Sequence, residues 1–361
     1  MSSGNIGPGS MNDINFLRQY DDIDTVLSPS QNNIIFGHEA ARHFLAQMRQ
    51  EGRLHHALIF EGEHGIGKAT LAFHLAWNIL SSQKGDFLQP ESNSITWRQI
   101  TQGSHPCLLH ISRRFDVKTQ KFKTGILIDD IRDIMHFLHK TSQDNGWRIV
   151  IIDPADDMNR SAANAILKTL EEPPAKTLFI IITHSSGKLL PTIRSRCQQI
   201  SLRPLHDDEM KKVITHVFFN QNRLNEETIK MIVQRSKGSP RKAALLIHHG
   251  GLEIVKNIDT LLEQSVCNPA IVHTLAQTLS SLSSVIQFQQ FCNEILDKIQ
   301  KKAIMLAEKG NLALSKKYAQ IWQEIHQEVE EMQSFNLDKK QFIINLLFRV
   351  HKIIHESKIF P

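Results

Sequence analysis

The stretch Gly62-Glu-His-Gly-Ile-Gly-Lys-Ala-Thr70 matches the phosphate-binding pattern Gly-x-x-x-x-Gly-Lys-[Ser/Thr] at every position but one. In that pattern backbone N–H groups cradle phosphates, the lysine reaches the terminal phosphates, and the hydroxyl holds Mg²⁺. Gly62, Gly67 and Lys68 are in place, but Ala69 stands where the hydroxyl belongs. Thr70 cannot substitute, because one residue further along a helix turns a side chain by about 100°. The residues leave three readings open: a working nucleotide site, one that only binds, or a loop kept for its shape.

A second chemical landmark is Val150-Ile-Ile-Asp-Pro-Ala-Asp-Asp157. In NTPases of this kind an apolar strand ends in Asp, which helps to hold Mg²⁺, and a following Glu polarises the attacking water. Asp153 is present. Pro154 occupies the Glu position and has no group for base work. Asp156 lies beyond the strand end and is a poor replacement. One half of the metal machinery and the water-activating group are both missing, which predicts no ATP hydrolysis.

The third landmark is Pro191-Thr-Ile-Arg-Ser-Arg-Cys197. An isolated arginine pair is usually solvated. Its sharper reading makes Arg196 an arginine finger, placed in trans against a phosphate bound by a neighbouring subunit and worth about 10³–10⁵ in rate. Metal chemistry has less support. Among 19 histidines, His136 and His139 share a helix face at i, i+3, but no carboxylate or cysteine of matching spacing joins them. Cys107, Cys197, Cys267 and Cys292 are too scattered for a zinc ribbon or disulfide framework. They suit a reducing cytoplasm, the expected location.

The elements that must position these residues follow from the pattern. The apolar run His56–Gly62, the glycine loop and a helical period after Lys68 give the strand–loop–helix order a phosphate loop needs. Residues 147–153, introduced by the Asn145-Gly146 turn signal, and residues 177–183 read as buried strands. Between them Ser161 to Glu172 reads as a helix, with Ser161 a candidate N-cap and Pro173-Pro174 the stop. This alternation predicts an α/β domain with a parallel sheet covered on both faces. After about Pro204 only helices are expected, with Asn225, Ser239 and Asn268 as N-caps and Gly238 as a stop. The last helix places Ile343, Leu346, Leu347, Val350 and Ile354 on one stripe, which needs a surface to cover.

The expected organisation is a poorly ordered segment over 1–30, an α/β domain over 31–204, a helical lid over 205–250 and a helical domain over 251–361. The opening Met1-Ser-Ser-Gly is part of a Gly/Ser-rich stretch without the apolar core of a signal peptide, and reads as an appended or disordered segment with Met11 a natural start. No apolar run spans a membrane. A length of 361 residues, 41% hydrophobic and 22% charged, is that of an ordinary globular protein. A net charge of +5 permits nucleic-acid contact without arguing for it.

Ala162-Ala-Asn-Ala-Ile-Leu-Lys-Thr-Leu-Glu-Glu-Pro-Pro174 and Ser195-Arg-Cys197, with a phosphate loop upstream and helices downstream, resemble the AAA+ clamp-loader subunits of bacterial DNA polymerase III. The resemblance runs with specific motifs from about Phe36 to Leu246. It implies a P-loop AAA+ domain, a small helical lid and a helical collar domain. Within the family, Lys68-Ala69 and Asp153-Pro154 look like the delta-prime type rather than the hydrolysing gamma/tau type. The resemblance assigns Gly62, Gly65, Gly67 and Lys68 to the phosphate loop and Asp153 to the metal side. It assigns Thr183 to sensing the γ-phosphate, Arg241 to lid contact with phosphates, and Arg196 to the trans-acting finger. Implied partners are gamma/tau and delta subunits in a hetero-oligomeric ring, the sliding clamp, and primed DNA through the complex. ATP or ADP at the loop is left open, and zinc is not expected, because the stretch after the loop carries one cysteine where relatives often have a four-cysteine module. The rival functions are a self-sufficient ATPase, either an active loader subunit or a helicase-type remodeller, and a free nucleotide-binding regulator.

Overall fold

The computed structural model describes residues 19–23, 26–83, 85–116, 118–119, 121–139, 146–218, 225–248, 250–281, 285–335 and 337–356. The Gly/Ser-rich opening with Met11, Asn145 of the expected turn, and Phe219 and His249 at two expected helix ends lie outside these residues. The chain divides into two compact units, up to Ala243 and from Ala244 onward.

In the first unit the strands are β1 (Ala57–Glu61), β2 (Leu108–Ile111), β3 (Phe115–Asp116), β4 (Lys121–Phe122), β5 (Arg148–Ile152), β6 (Thr177–Thr183) and β7 (Gln198–Ser201). Five of them form one parallel sheet in the order β2-β5-β6-β1-β7, while β3 and β4 make a small antiparallel ribbon. The three central strands are the three apolar runs legible in the sequence. Because successive side chains point to opposite faces, each run feeds two cores. Leu58, Phe60, Ile149, Ile151 and Ile180 pack on one face with Leu71, Leu75 and Trp77 of the Lys68–Leu80 helix. Ile59, Val150, Ile152, Phe179 and Ile181 pack on the other with Ile131, Ile134, Ile166 and Leu170.

The edge strands β2 and β7 escape the sequence reading for a physical reason. In β7 only Ile200 is buried, and in β2 only Ile111, so neither presents a continuous apolar run. Another departure concerns the helix after β5. It starts at Arg160, with Asn159 as its N-cap accepting from the Ala162 N–H at 2.8 Å, so Ser161 lies inside the first turn rather than at the cap. It breaks at Ile166 and resumes as Leu167–Glu171.

Three helices follow β7: Asp207–Phe218, Glu226–Ser236 and Pro240–Ile247, the last running across the boundary between the units. Asn225 caps the second through the Thr228 N–H, and Lys237 and Gly238, both at positive φ, end it. Ser239 caps the third through the Lys242 N–H.

The second unit holds helices Gly251–Glu263, Pro269–Leu279, Val285–Glu308, Leu312–Phe335 and Lys339–Glu356. Asn268 caps the second of these, accepting from the Ala270 N–H. The stripe of the last helix is already covered inside its own unit: Ile343, Leu346, Leu347 and Val350 are buried with Leu275, Phe291, Ile295 and Tyr318. The stripe therefore serves the core of this unit and does not wait for an outside surface. Among the described residues, no helix is long and apolar enough to cross a membrane.

Candidate functional site: the phosphate loop and its surroundings

Strand β1 ends at Glu61, and the chain turns through Gly62–Gly67 into the helix that Lys68 begins. Two glycines make this turn feasible. Gly67 stands at the helix N-cap with φ 105°, and Gly65 has φ 77° with space for no side chain, since a Cβ there would lie 2.3 Å from the Cβ of Arg241. Lys68 is 4% exposed, and its ammonium donates to the carbonyls of Gly62 and Glu63, each at 2.6 Å. Burial lowers its pKa to about 8, while the charges of Asp153, Asp156 and Glu63 pull the other way. Ala69 packs its methyl against the apolar cluster on that face of the sheet.

Asp153, just past β5, is half-buried. Burial, reinforced by the charge of Asp21, pushes its carboxyl up to about 7 against the opposing pull of Lys68. Asp156, the weak candidate for base work, has a different occupation. It accepts a hydrogen bond from the Thr183 hydroxyl, and its other oxygen accepts from the His184 N–H at 2.8 Å. Thr183 is completely buried at the end of β6, and the N–H of Ser185 also donates to its hydroxyl at 3.2 Å. The hydroxyl expected to sense a phosphate thus ties the ends of two neighbouring strands. His184 stacks at a tilt on His64 with centroids 4.6 Å apart, and burial, with Lys68 and His64 nearby, lowers its pKa to about 4.

The lid joins the loop directly. Ser239 Oγ lies 3.2 Å from the carbonyls of His64 and Gly65, and the Arg241 N–H donates to the Gly65 carbonyl at 3.2 Å. Arg241 is therefore placed over the loop. Its guanidinium lies 3.7 Å from a carboxylate oxygen of Asp21, and the same oxygen lies 3.3 Å from His64 Nε2. Burial pushes Asp21 up, but the His64 hydrogen bond and the charges of Arg241 and His64 outweigh it and hold the carboxyl below its ordinary range. Beside it, the Tyr20 ring lies under the Arg113 guanidinium at 4.2 Å, and Arg113 makes two bonds of 2.5 Å to Asp157.

Gly62, Gly65, Gly67, Lys68, Asp153, Thr183 and Arg241 thus share one neighbourhood, linked through Asp156, Asp21 and Ser239. Arg196 is placed apart from them, paired with Glu171 and donating to the Thr192 carbonyl at 2.9 Å. Sequence reasoning missed Asp21, His64, His184 and Ser239 as members of this neighbourhood. Asp21 fell in a stretch expected to be poorly ordered, and a histidine has no local signature that tells a ring stacked beside a loop from a solvated one.

A magnesium nucleotide, which the loop pattern implies, does not fit these side chains as they stand. Ala69 offers only a packed methyl, the Lys68 ammonium is spent on two carbonyls of its own loop, and a carboxylate already faces Arg241. Among the described residues, no group of three or more His, Cys, Asp or Glu is arranged to hold a metal ion.

A parallel sheet in this order, a glycine loop between β1 and the next helix, an acidic end to β5 and a helical lid carrying an arginine define an AAA+ type P-loop domain. Comparison with known proteins narrows the class. The family described as "DNA polymerase III, delta subunit" matches residues 37–206. DNA polymerase III subunit delta' of Pseudomonas aeruginosa is 28% identical, over 80% of this chain and 86% of its own length. DNA polymerase III subunit gamma of Buchnera aphidicola from Schizaphis graminum is 28% identical, over 76% of this chain and 75% of its own. DNA polymerase III subunit tau of Escherichia coli is 29% identical over 59% of this chain, which spans 32% of that longer protein. Residues 37–206 match this family, and the similarity to delta' and gamma subunits over most of the chain supports a clamp-loader subunit of DNA polymerase III.

Proposed function

We propose that this chain is the delta-prime-type member of its clamp loader, a subunit that does not hydrolyse ATP and that braces the ring of subunits. It lends Arg196 in trans to the ATP site of a neighbouring gamma/tau-type subunit. Through the ring it helps to open the sliding clamp and to place it on primed DNA. The observation that carries this reading is an intact AAA+ scaffold from which both the Mg²⁺ hydroxyl and the water-polarising carboxylate are missing, at Ala69 and Pro154. The acidic side chains next in sequence are both engaged, Asp156 with Thr183 and His184 and Asp157 with Arg113. Relatives of both gamma/tau and delta' types match, so overall similarity does not choose between them and the site residues must.

Arg196 suits the role of a finger. Its side chain is one-third exposed, and its partner Glu171 is itself half-exposed. Such a surface pair is worth only about 0–1 kcal/mol, so a phosphate on an adjoining subunit can draw the guanidinium away. A guanidinium keeps its charge and forks onto two oxygens, which an ammonium cannot do.

The test measures ATP turnover in two settings. The chain by itself is expected to show none above background, and Ala69→Ser is expected to restore none. In the reconstituted loader, Arg196→Ala is expected to assemble normally yet slow the one site it serves by about 10³–10⁵, diluted in the total by the intact sites. Arg196→Lys should rescue poorly, and Arg194→Ala is the control for general damage to this segment. Turnover by the isolated chain that vanishes on Lys68→Ala would return the self-sufficient ATPase to first place. Full turnover with Arg196→Ala would remove the finger.

A further inference from the structure

The carboxylate facing Arg241 comes from the chain's own N-terminal region, and its neighbours fix it there. Asp21 Oδ2 is 3.7 Å from the Arg241 guanidinium and 3.3 Å from His64 of the phosphate loop. The residues on either side are anchored rather than laid loosely on the surface. Gln19 and Ile23 are buried at 6% exposure each. The Tyr20 ring lies against the Arg113 guanidinium at 4.2 Å and packs nearly perpendicular to Phe122, with ring centroids 6.5 Å apart. Arg113 is itself fixed by Asp157, two residues before the helix N-cap Asn159. A lid arginine and a loop histidine are cationic or hydrogen-bonding groups of the kind that hold phosphate oxygens, and a carboxylate offers them the same charge and oxygen acceptors.

We propose that residues 19–23 are a built-in competitor for the phosphates of a nucleoside di- or triphosphate, with Asp21 taking the anion's place against Arg241 and His64. The loop keeps its glycine geometry, and Lys68 donates to the carbonyls of Gly62 and Glu63. Nucleotide binds only to the form from which this segment has withdrawn. Its apparent affinity is then reduced by the fraction of chains in that form. The proposal does not depend on Arg196 or on the absence of hydrolysis. It concerns binding by the chain alone, whereas the finger is read from turnover of the complex, so either can fail without the other.

The experiment titrates a fluorescent ADP analogue with Mg²⁺ against the full chain, its Asp21→Ala and Tyr20→Ala variants, and the double variant Asp21→Ala/Lys68→Ala. Circular dichroism and thermal melts establish that each is folded. Asp21→Ala is expected to bind at least about tenfold more tightly than the parent chain, the ratio for a site open one time in ten. Tyr20→Ala, which loosens the segment without touching the charges, should shift affinity in the same direction, and Lys68→Ala should cancel the gain. The proposal is overturned if Asp21→Ala binds no better than the parent, including no binding by either. It is equally overturned if the gain survives Lys68→Ala, or if Tyr20→Ala gives none, since charge at Arg241 rather than the docked segment would then be responsible. Should Asp21→Ala not fold, Tyr20→Ala with and without Lys68→Ala decides the matter by the same criteria.

Discussion

Asp153 and Lys68 carry opposite charges into the same dry region, and burial works against both. The Asp153 carboxyl is raised to about 7 from an ordinary 3.8, and the Lys68 ammonium is lowered to about 8 from 10.5. For Asp153 the folded state holds its proton more tightly than the unfolded one. Its cost is therefore absent below about pH 4, where both states are protonated, grows between about pH 4 and 7, and is constant above that. Replacing it with the uncharged isostere should remove that cost. Asp153→Asn is expected to melt close to the parent at pH 4 and above it at pH 8, by on the order of 2–4 °C for each kcal/mol recovered. A melting difference that stays constant across this range would show that Asp153 is not the group under strain. At this scale the chain has kept the glycines and lysine of a phosphate site, while the half-buried Asp153 carboxyl feels the charge of Lys68.

The helices that present these residues are set by their ends. The Arg160–Ala165 helix follows β5 and packs Ala162 and Ala163 into the core beneath the site. Its start is decided by Asn159, whose side chain satisfies the Ala162 N–H at 2.8 Å. Ser161 is exposed and caps nothing. Asn159→Ala should therefore cost about 1 kcal/mol, and Ser161→Ala should be close to neutral. Chemical denaturation of the two variants checks this, and the reverse order would reinstate Ser161 as the cap. The lid helix from Pro240 is fixed in a similar way, but its cap has a second duty. Ser239 accepts from the Lys242 N–H while its hydroxyl also lies 3.2 Å from the His64 and Gly65 carbonyls, so one side chain starts the helix and seats it on the loop.

Across the whole chain, the two compact units have separate cores, and the last helix belongs wholly to the second. Deleting residues from Lys339 onward removes Ile343, Leu346, Leu347 and Val350, each buried to 3% exposure or less. At about 1.5–3 kcal/mol per side chain, the loss is comparable with the 5–15 kcal/mol that holds a domain together. The truncated chain should melt with the transition of the first unit intact and that of the second gone. A truncated second unit that still melts cooperatively would mean the stripe is free for a partner after all. Assembly into a loader should fail with the same truncation, but through loss of the fold rather than loss of a contact.

Much of this protein is written in local sequence. The buried central strands are unbroken apolar runs, the caps at Asn225, Ser239 and Asn268 are local hydrogen bonds, and the phosphate loop is a fixed spacing of glycines. Each depends on neighbours a few residues away, so the pattern is sufficient. The missing hydroxyl at Ala69 and the missing carboxylate at Pro154 are legible for the same reason. The edge strands β2 and β7 are not, because pairing with β5 and β1 rather than their own composition makes them strands. Asp156 lies three positions after Asp153, yet its hydrogen-bond partner Thr183 is 27 positions away. Asp21 meets His64 across 43 positions and Arg241 across the length of the domain, contacts no local pattern encodes. Sequence alone determined which side chains of the phosphate-site pattern are absent, at Ala69 and Pro154. Only the tertiary structure, by folding distant charges into one low-dielectric neighbourhood, decided what stands against the lid arginine.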